Sequence, residues 1–382
     1  MKKHLFFLFV LFNSFYGNSQ PLGNEWIKTN QTYYKIKIAQ QGVFKIDSAT
    51  LIQFGVNLNG IHPNKFQIFK NGEEVTCFVK GENDGVFNAD DYLLFYGNKN
   101  DGVLDAELYK TPTDQPHQIN SLYTDTAIYF FTILPTSVSQ IGKRFINFSE
   151  TNYSSYTPES YIIKELQIAP IEEYFRGTFS KVGEGEFYYF SDYLGGESWL
   201  GNRFGLNENK TYNLNTTNLY NSGPNAVLET KVFGVSDDKT KAINHHLNIS
   251  ISNNNLNFNL IKDTTYAGYT ETKYSISLSN SLLGNSTQIK YETIADLGLS
   301  SDYSALSYLS LKYAHSCDFN SNSKMYFKHV GQQSGNRIYF QFLNYSKTNP
   351  FVLDLTNNKK INCTVNSNVL KVIIENSFQE QA

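Results

Sequence analysis

Apolar and polar residues alternate in short runs along the whole chain. In YYKIKI, Tyr34, Ile36 and Ile38 point to one side, while Lys35 and Lys37 point to the other. The same alternation recurs in HLNISISNN, ALSYLSLKY and VLKVIIE. Because successive side chains of a β-strand face opposite sides of the sheet, this pattern predicts half-buried strands.

Two local signals interrupt the strands. In DSATLIQFG, Asp47 or Ser48 is placed to cap a short helix, and Gly55 is placed to end it. Asn71-Gly72 separates FQIFK from EEVTCFVK, and this dipeptide between two apolar runs predicts a tight hairpin. Apart from the short helix, the chain lacks the periodicity of about 3.6 residues that long helices show.

The pattern predicts an all-β fold of two antiparallel β-sandwich-like domains, with one short helix in the first domain. We expect a signal peptide at residues 1–19, an N-terminal β domain at 20–150 and a jelly-roll-like β-sandwich domain at 151–382. The boundary is placed between Pro135 and Pro158, because Asn, Ser and Gly become denser beyond Tyr153. A length of 382 residues fits two domains of roughly 100–200 residues each.

The first residues have the pattern of a secretory signal peptide. Lys2 and Lys3 precede an apolar run at 5–12, and cleavage is expected near Ser19. The run is shorter than the roughly 20 residues that cross a bilayer, and no later segment is long and apolar enough. We therefore expect an exported protein with no transmembrane segment after signal cleavage. Its expected location is the periplasm, the outer-membrane surface or the extracellular space.

The composition narrows the classes of partner. Aromatic residues make up 15% of the chain, with 27 Tyr and 29 Phe, and this favours strands. The formal net charge is -3, so no nucleic-acid partner is expected. The three cysteines, Cys77, Cys317 and Cys363, are too few for a disulfide framework. One bridge between two of them stays open, and the sequence does not say which pair would form it.

The sequence Asn-Asp-Gly occurs twice, at 83–85 and 100–102. Neither stretch is an EF-hand-type loop, because Lys80 and Gly97 occupy the positions of the first ligand. One hypothesis is calcium held in another geometry by the oxygen-bearing side chains of Asp84, Asn88, Asp90 and Asp91. The alternative is two tight turns around a strand, because Asn and Gly both tolerate positive φ.

Histidines and cysteines offer further candidates. His245 and His246 are neighbours in a predicted strand, so their side chains face opposite sides and cannot chelate one ion together. His315 and Cys317 share a strand face, where a catalytic pair needs a bent backbone to reach hydrogen-bond distance. A zinc site of His315, Cys317 and His329 lacks the usual paired-ligand spacing. The sequence contains no nucleophile elbow, phosphate loop or dinucleotide fingerprint.

Aromatic residues are concentrated in GEGEFYYFSDYLGGESWLGNRFG. Exposed side chains of Tyr193 and Trp199 on a β face would stack on sugar rings, as in lectin-like modules, which predicts a ligand-binding site. The alternative is a packed sandwich edge with glycines in its turns. A ligand-binding site at these residues predicts the alternative function, a free-standing extracytoplasmic module that binds a glycan or a protein.

A series of longer stretches occurs in a characteristic order along the chain. They are TYYKIKIAQQGVFKIDSATLIQFGV, NKFQIFKNGEEV, DGVFNADDYLLFYG, NDGVLDAELY, SLYTDTAIYFFT, GGESWL, SDYSALSYLSLKYAHSCDF and FVLDLTNNKKI. Together they resemble the N-terminal β-rich region of gingipain-type cysteine peptidases and of sortase-like proteins of the type IX secretion system. In that family, the β-rich region precedes a caspase-like domain that carries the catalytic Cys and His. Neither KHVGQQ nor HSCDF matches the motifs of that domain, so no catalytic residue is carried over.

The resemblance implies an exported, non-catalytic β-rich region that supports or docks a peptidase domain. Its expected partners are a caspase-like peptidase domain or components of the type IX secretion system. The family contains cysteine-type peptidases, but the catalytic Cys/His domain lies outside the stretches that match. The resemblance implies no cofactor, and calcium is the one cofactor that the residues themselves leave open.

Overall fold

The computed structural model describes residues 23–177, 180–181, 187–188, 191–254, 256–320, 322–330 and 335–382. The expected signal peptide and most of the GEGEFYYF stretch lie outside these residues. Contacts divide the chain into two units. The first comprises residues up to Ile38, Gly42–Gly97 and Ile128–Arg144, and the second comprises Ala39–Gln41, Asn98–Ala127 and Phe145–Ala382. The expected domain boundary near residue 150 stays a prediction.

The first unit consists mainly of short strands. Its helices are α1 (Ser48–Gln53) and 3₁₀ turns at Pro63–Lys65 and Glu82–Asp84. Its strands are β1 (Tyr34–Ile38), β2 (Gly42–Asp47), β3 (Phe66–Lys70), β4 (Glu73–Val75), β5 (Cys77–Val79), β6 (Tyr92–Gly97) and β7 (Ala127–Ile133). They form two sheets with the strand orders β1-β7-β3-β4 and β2-β6-β5.

The two sheets of the first unit enclose a core rich in aromatic side chains. Phe95 of β6 packs against Tyr129 of β7 with ring centroids 5.4 Å apart, so side chains of the two sheets meet. Phe66 and Phe131 pack edge to face at 5.3 Å. Ile38 is the buried end of the alternating pattern in β1, as predicted. Burying an apolar side chain of this size stabilises the fold by about 1.5–3 kcal/mol.

Both local signals in the first unit are confirmed. The Asp47 carboxylate accepts a hydrogen bond from Thr50 N at 2.9 Å and caps α1. Gly55, with φ +81°, lies just beyond the end of the helix. Asn71 and Gly72 both have positive φ and link β3 to β4 in an antiparallel hairpin.

The run EEVTCFVK alternates without a break in the sequence but forms two strands in the structure. β4 pairs with β3 in one sheet, and β5 pairs with β6 in the other. The chain therefore changes sheets at Thr76. The two sheets enclose one core, so apolar and polar residues keep alternating across Thr76. The alternation in the sequence therefore does not reveal the change of sheet. Beyond the crossing, Cys77 is fully buried, and Arg144 Nη1 lies 3.2 Å from its sulfur.

The second unit continues with strands that are joined by turns and short 3₁₀ helices. The 3₁₀ helices span Val103–Leu108, Pro112–Asp114, Tyr153–Ser155 and Asn280–Leu282. The strands are β8 (Ile146–Ser149), β9 (Tyr161–Ile168), β10 (Glu173–Arg176), β11 (Ser180–Lys181), β12 (Phe187–Tyr188), β13 (Glu197–Leu200), β14 (Asn209–Asn215), β15 (Ala226–Gly234), β16 (His245–Ser252), β17 (Asn259–Tyr266), β18 (Glu271–Leu278), β19 (Ser286–Thr293), β20 (Ser304–Ser316), β21 (Arg337–Phe342), β22 (Val352–Asp354), β23 (Lys359–Asn362), β24 (Thr364–Asn366) and β25 (Val369–Glu375).

Two four-stranded sheets form a sandwich in the second unit. Their strand orders are β14-β19-β16-β17 and β18-β15-β20-β9. Leu228 and Leu309 from one sheet pack with Ile249 and Tyr291 from the other in a shared core. The predicted inward faces of β16 and β20 are confirmed, because their apolar members are all buried: Leu247, Ile249, Ile251, Leu309, Leu311 and Tyr313. The prediction of an all-β fold of antiparallel, sandwich-like sheets is confirmed.

A second, smaller core lies beside two three-stranded sheets of the same unit. Their strand orders are β21-β25-β24 and β22-β23-β8. Phe340 of β21, Val372 of β25 and Ile361 of β23 are buried in this core. β8 runs parallel to β23, with Ile146 opposite Lys359. β8, the first strand named in the second unit, therefore pairs with a strand near the end of the chain.

A buried ionisable pair lies in the second unit. His245 Nδ1 is 2.6 Å from Asp302 Oδ1, and both side chains are fully buried. His245 Nε2 is 3.0 Å from the carbonyl oxygen of Gly268. The other Asp302 oxygen accepts a hydrogen bond from His246 N at 3.2 Å. The His246 ring points the opposite way, towards the exposed carboxylate of Asp263, so the two neighbouring histidines face opposite sides as predicted.

Candidate functional site

A two-stranded sheet in the second unit positions the aromatic residues around Trp199. β10 and β13 pair antiparallel, with Tyr174 opposite Trp199 and Phe175 opposite Ser198. Because opposite residues of an antiparallel pair share a face, Tyr174 and Trp199 lie side by side. Their ring centroids are 5.5 Å apart and the angle between their planes is 69°, an edge-to-face contact. Phe175 is on the other face and is buried.

Two further tyrosines complete this surface. The hydroxyls of Tyr123 and Tyr193 are 2.7 Å apart. Tyr193 is fixed through its main chain, because its N–H donates to Leu108 O at 3.0 Å. The indole Nε1 of Trp199 donates to Leu122 O at 3.1 Å, which joins the segment of Tyr123 to β13. We call Tyr123, Tyr174, Tyr193 and Trp199 the aromatic cluster.

The aromatic cluster is partly open to solvent. Tyr123 is 68% exposed and Trp199 is 37% exposed, whereas Tyr174 and Tyr193 are half-buried. Leu104 and Leu108, from the neighbouring 3₁₀ helix, are also exposed. The structure thus brings the predicted residues Tyr193 and Trp199 into one surface. Tyr174 and Tyr123 belong to the same surface, but no signal in the sequence links Tyr123 to the other three.

Glu197 places a carboxylate beside the aromatic cluster. Its Oε1 accepts a hydrogen bond from the Tyr174 hydroxyl at 3.0 Å, and its Oε2 accepts one from Leu194 N at 3.3 Å. The hydrogen bond to Tyr193, assisted by partial burial, raises the pKa of Tyr123 to about 12. Burial and the nearby Glu197 also raise the pKa of Tyr174. The two phenols therefore stay neutral at physiological pH and offer hydroxyl groups to a ligand.

This arrangement suits binding rather than proton transfer. Aromatic rings with exposed area can pack against a ligand, and hydroxyl and carboxylate groups can fix its orientation. A general acid or base needs a pKa close to the working pH, and the pKa values of Tyr123 and Tyr174 are shifted away from it. The surface therefore has the chemistry of a recognition site.

The four calcium candidates lie in the segment between β5 and β6. Asp91 is buried, and its Oδ2 accepts a hydrogen bond from Asn88 N at 2.8 Å. Asp84 Oδ2 accepts a hydrogen bond from the Asn88 side chain at 3.2 Å, and its Oδ1 accepts one from Val86 N at 3.0 Å. Asp90 is exposed, and its carbonyl oxygen accepts a hydrogen bond from a lysine. These side chains thus stabilise the turn, and calcium stays a hypothesis.

The histidine and cysteine hypothesised as a catalytic pair have separate partners. His315 Nδ1 is 2.6 Å from Ser316 O, and Cys317 Sγ is 3.7 Å from Glu159 O. Burial raises the pKa of the Cys317 thiol to about 12, so the sulfur is held as a thiol rather than a thiolate. Burial likewise raises the pKa of Cys77 to about 12 and that of Cys363 to about 11. All three cysteines are free.

The structure places His329 beside Glu159, a pairing that the sequence did not suggest. His329 Nε2 is 3.7 Å from Glu159 Oε2, and both residues are buried. Burial lowers the pKa of His329 to about 4, so its ring is neutral near pH 7.

Among the described residues, no three His, Cys, Asp or Glu side chains are grouped so that they could hold a metal ion. The same part of the chain contains no helix of the length and hydropathy needed to cross a bilayer.

Comparison with known proteins bears on the fold of this chain. No family model matches the sequence, and no curated protein matches it. Among solved structures, dimeric latent PorU from Porphyromonas gingivalis matches 90% of this chain, with a TM-score of 0.55 and 12% sequence identity. The two proteins share this fold. The chain spans 30% of the length of the PorU chain.

Other solved structures are less similar. A carbohydrate-binding module, CBM36 in complex with calcium and xylotriose, covers 39% of this chain and 98% of its own, with a TM-score of 0.21 and 11% identity. The ANX1 ectodomain from Arabidopsis thaliana covers 75% of this chain and 82% of its own, with a TM-score of 0.21 and 10% identity. These two scores are too low to support a conclusion about the fold or about ligands.

Proposed function

We propose that this chain is an exported, non-catalytic β-rich region that supports or docks a peptidase domain. The observation that carries the proposal is the fold shared with PorU, a gingipain-like type IX secretion sortase, over 90% of the chain. The ordered sequence stretches that resemble the β-rich leader of gingipain-type peptidases support the same proposal. The partner would be a caspase-like peptidase domain or a component of the type IX secretion system.

The chemistry of the described residues agrees with a supporting role. Each cysteine has a raised pKa, so none is a ready nucleophile. The aromatic cluster is a recognition surface rather than a reaction centre. Export to the periplasm, the cell surface or the medium is part of the proposal, and it is supported by the signal-peptide pattern at residues 1–19.

Cross-linking in the producing cells tests the docking role. We expect a lysine-reactive cross-linker to join the full chain to a caspase-like peptidase domain, because docking holds surface lysines of the two within reach. Mass spectrometry of the cross-linked peptides identifies the partner and its sequence. Cross-links confined to the chain itself, or to proteins without a peptidase or secretion role, would contradict the proposal. A reaction without cross-linker is the control.

The aromatic cluster favours a second candidate, a free-standing glycan- or protein-binding module. For a glycan ligand, we expect Trp199→Ala to weaken binding on a glycan array by about tenfold or more. An aromatic side chain that becomes covered by its ligand contributes about 2 kcal/mol to the free energy of binding. Tyr326→Ala is the matched control, because Tyr326 is also an exposed aromatic residue of the second unit. Absence of binding to every glycan, or equal loss in both variants, would remove the glycan-binding candidate.

A further inference from the structure

His117 lies in a part of the second unit that packs against one sheet of the sandwich. Its ring meets the ring of Tyr308 in β20 edge to face, with centroids 6.2 Å apart. Lys231 of β15 is directly opposite Tyr308 in the same sheet. We call residues 112–123, which carry His117, the covering segment. The sites described above do not use this histidine.

The hydrogen bonds of the His117 ring fix where its protons can be. Nδ1 accepts a hydrogen bond from Ile119 N at 3.4 Å, so Nδ1 is the nitrogen without a proton. The neutral ring therefore carries its proton on Nε2, a buried atom that finds no partner among the described residues. A second proton would have to be added at Nδ1, where it would meet the N–H of Ile119. Protonation of the ring therefore breaks the hydrogen bond to Ile119.

The surroundings of His117 also disfavour a charged ring. Burial, together with the positive charge of Lys231, lowers the pKa of His117 to about 4, and Lys99 has a smaller effect in the same direction. The main chain of His117 itself acts in the opposite direction without cancelling these effects. Once the covering segment leaves the sheet, the pKa of the ring would return to about 6.5.

Other charged groups lie on the same face of the sheet or on the covering segment: Glu229, Lys231, Glu271, Lys273 and Asp114. Glu271 Oε2 is 3.4 Å from Lys231 Nζ, and burial raises the pKa of Glu271. A carboxyl group with a raised pKa binds its proton more tightly in the closed arrangement. Acid therefore favours closure through Glu271 and opening through His117, and the experiment must separate the two.

The covering segment links His117 to the aromatic cluster. The side-chain nitrogens of Gln115 and Asn120 donate to main-chain carbonyls at 2.7 Å and 2.9 Å, so the segment is tied down on both sides of His117. Just beyond Asn120, Leu122 accepts the hydrogen bond of the Trp199 indole, and Tyr123 is itself a member of the cluster. Opening of the segment would therefore take Tyr123 away from the other three aromatic residues.

We propose that His117 is a pH-sensitive latch, which holds the covering segment and Tyr123 in place when neutral and lets them open when protonated. Because the pKa of His117 is lowered in the closed arrangement, its opening effect is absent well above pH 6.5 and complete below about pH 4. From pH 7.5 to pH 5, the ratio of open to closed segments should rise about 10- to 30-fold. This regulation of the aromatic cluster does not depend on the proposed docking function.

Hydrogen exchange of the full chain, measured by mass spectrometry at pH 7.5 and pH 5 and corrected for intrinsic exchange rates, tests the latch. We expect the protection of peptides from the covering segment to fall by about 10- to 30-fold at pH 5. The matched variant is His117→Asn, because its side-chain oxygen can accept the hydrogen bond of Ile119 N and takes up no proton in this range. Its protection should change by less than about threefold. Glu271 is present in both chains, so their difference reports on His117.

Equal loss of protection in the two chains, or no loss in the parent chain, would overturn the inference. If His117→Asn already exposes the covering segment at pH 7.5, the parent chain decides through the pKa of His117, followed by NMR of ¹³C-labelled histidine. The variant then serves only to assign the signal. We expect a pKa below about 5, and a value near 6.5 would show that closure of the segment does not oppose protonation.

Discussion

Asp302→Ala is expected to destabilise the second unit by about 2–5 kcal/mol, because it leaves buried hydrogen-bonding groups of the protein without their partner. The side chains of His245 and Asp302 are both fully buried and lie 2.6 Å apart. Without the carboxylate, Nδ1 of His245 loses its hydrogen-bond partner, and the main-chain N–H of His246 loses its acceptor. Water cannot readily replace it, because the site is closed to solvent. The free energy of unfolding, measured by urea denaturation, gives the result directly.

Asp296→Ala is the control for this experiment. Asp296 also contacts a histidine, with its Oδ1 2.8 Å from His246 Nδ1, but its side chain is 53% exposed. Exposed pairs contribute about 0–1 kcal/mol, so this variant should stay close to the parent chain. Similar losses of stability in the two variants would show that burial of the His245–Asp302 pair adds nothing to its contribution to the free energy of unfolding.

Gly196→Ala is expected to destabilise the second unit by about 2–5 kcal/mol. Gly196 has φ +79°, where a residue with a Cβ pays about 1–2 kcal/mol. The added Cβ would also overlap the ring of Phe233, which is 1% exposed and cannot move aside freely. Overpacking of this kind costs about 1–3 kcal/mol. Because Glu197 follows directly, the substitution should also disturb the carboxylate of the aromatic cluster.

Gly195→Ala provides a control one residue away. Gly195 has no positive φ, and a Cβ there would meet only Glu271 Oε2, at 4.0 Å. It should be neutral or slightly stabilising, by up to about 1 kcal/mol, because alanine restricts the unfolded chain. Melting temperatures of the two variants check the contrast, with tryptophan fluorescence as a report on Trp199. A melting temperature of Gly196→Ala equal to that of Gly195→Ala would contradict the expected clash.

Much of the fold could be predicted from local chemistry. The cap of α1 depends on Asp47 and the residues that follow it, and the hairpin depends on Asn71-Gly72, so both are encoded within a few residues. The buried face of β16 follows from strict alternation. The sheet change at Thr76 could not be predicted, because a strand that crosses from one sheet to the other keeps the same alternation on both sides.

The candidate site was predictable only in part. Trp199 and Tyr193 are close in sequence and lie in a stretch rich in glycine and aromatic residues. This composition allowed both to be predicted as ligand-binding residues. Tyr123 joins them through a hydrogen bond across 70 residues of sequence, which no local pattern encodes. Lys65 Nζ likewise donates a hydrogen bond to Val138 O at 2.7 Å, again a contact between distant segments. Contacts between side chains that are distant in sequence, such as that of Tyr123 with Tyr193, could therefore not be predicted from the sequence.

The parallel pairing of β8 with β23 has a consequence for how the chain is made. Ile146–Ser149 leaves the ribosome long before Lys359–Asn362, so its neighbour in the sheet does not yet exist. Ladders that join such distant segments close slowly, since the intervening loop must first be ordered. Until then, β8 is an open strand edge that can pair with the wrong chain. A molecular chaperone that acts on nascent chains would therefore be most useful to this protein between the synthesis of β8 and the synthesis of β23.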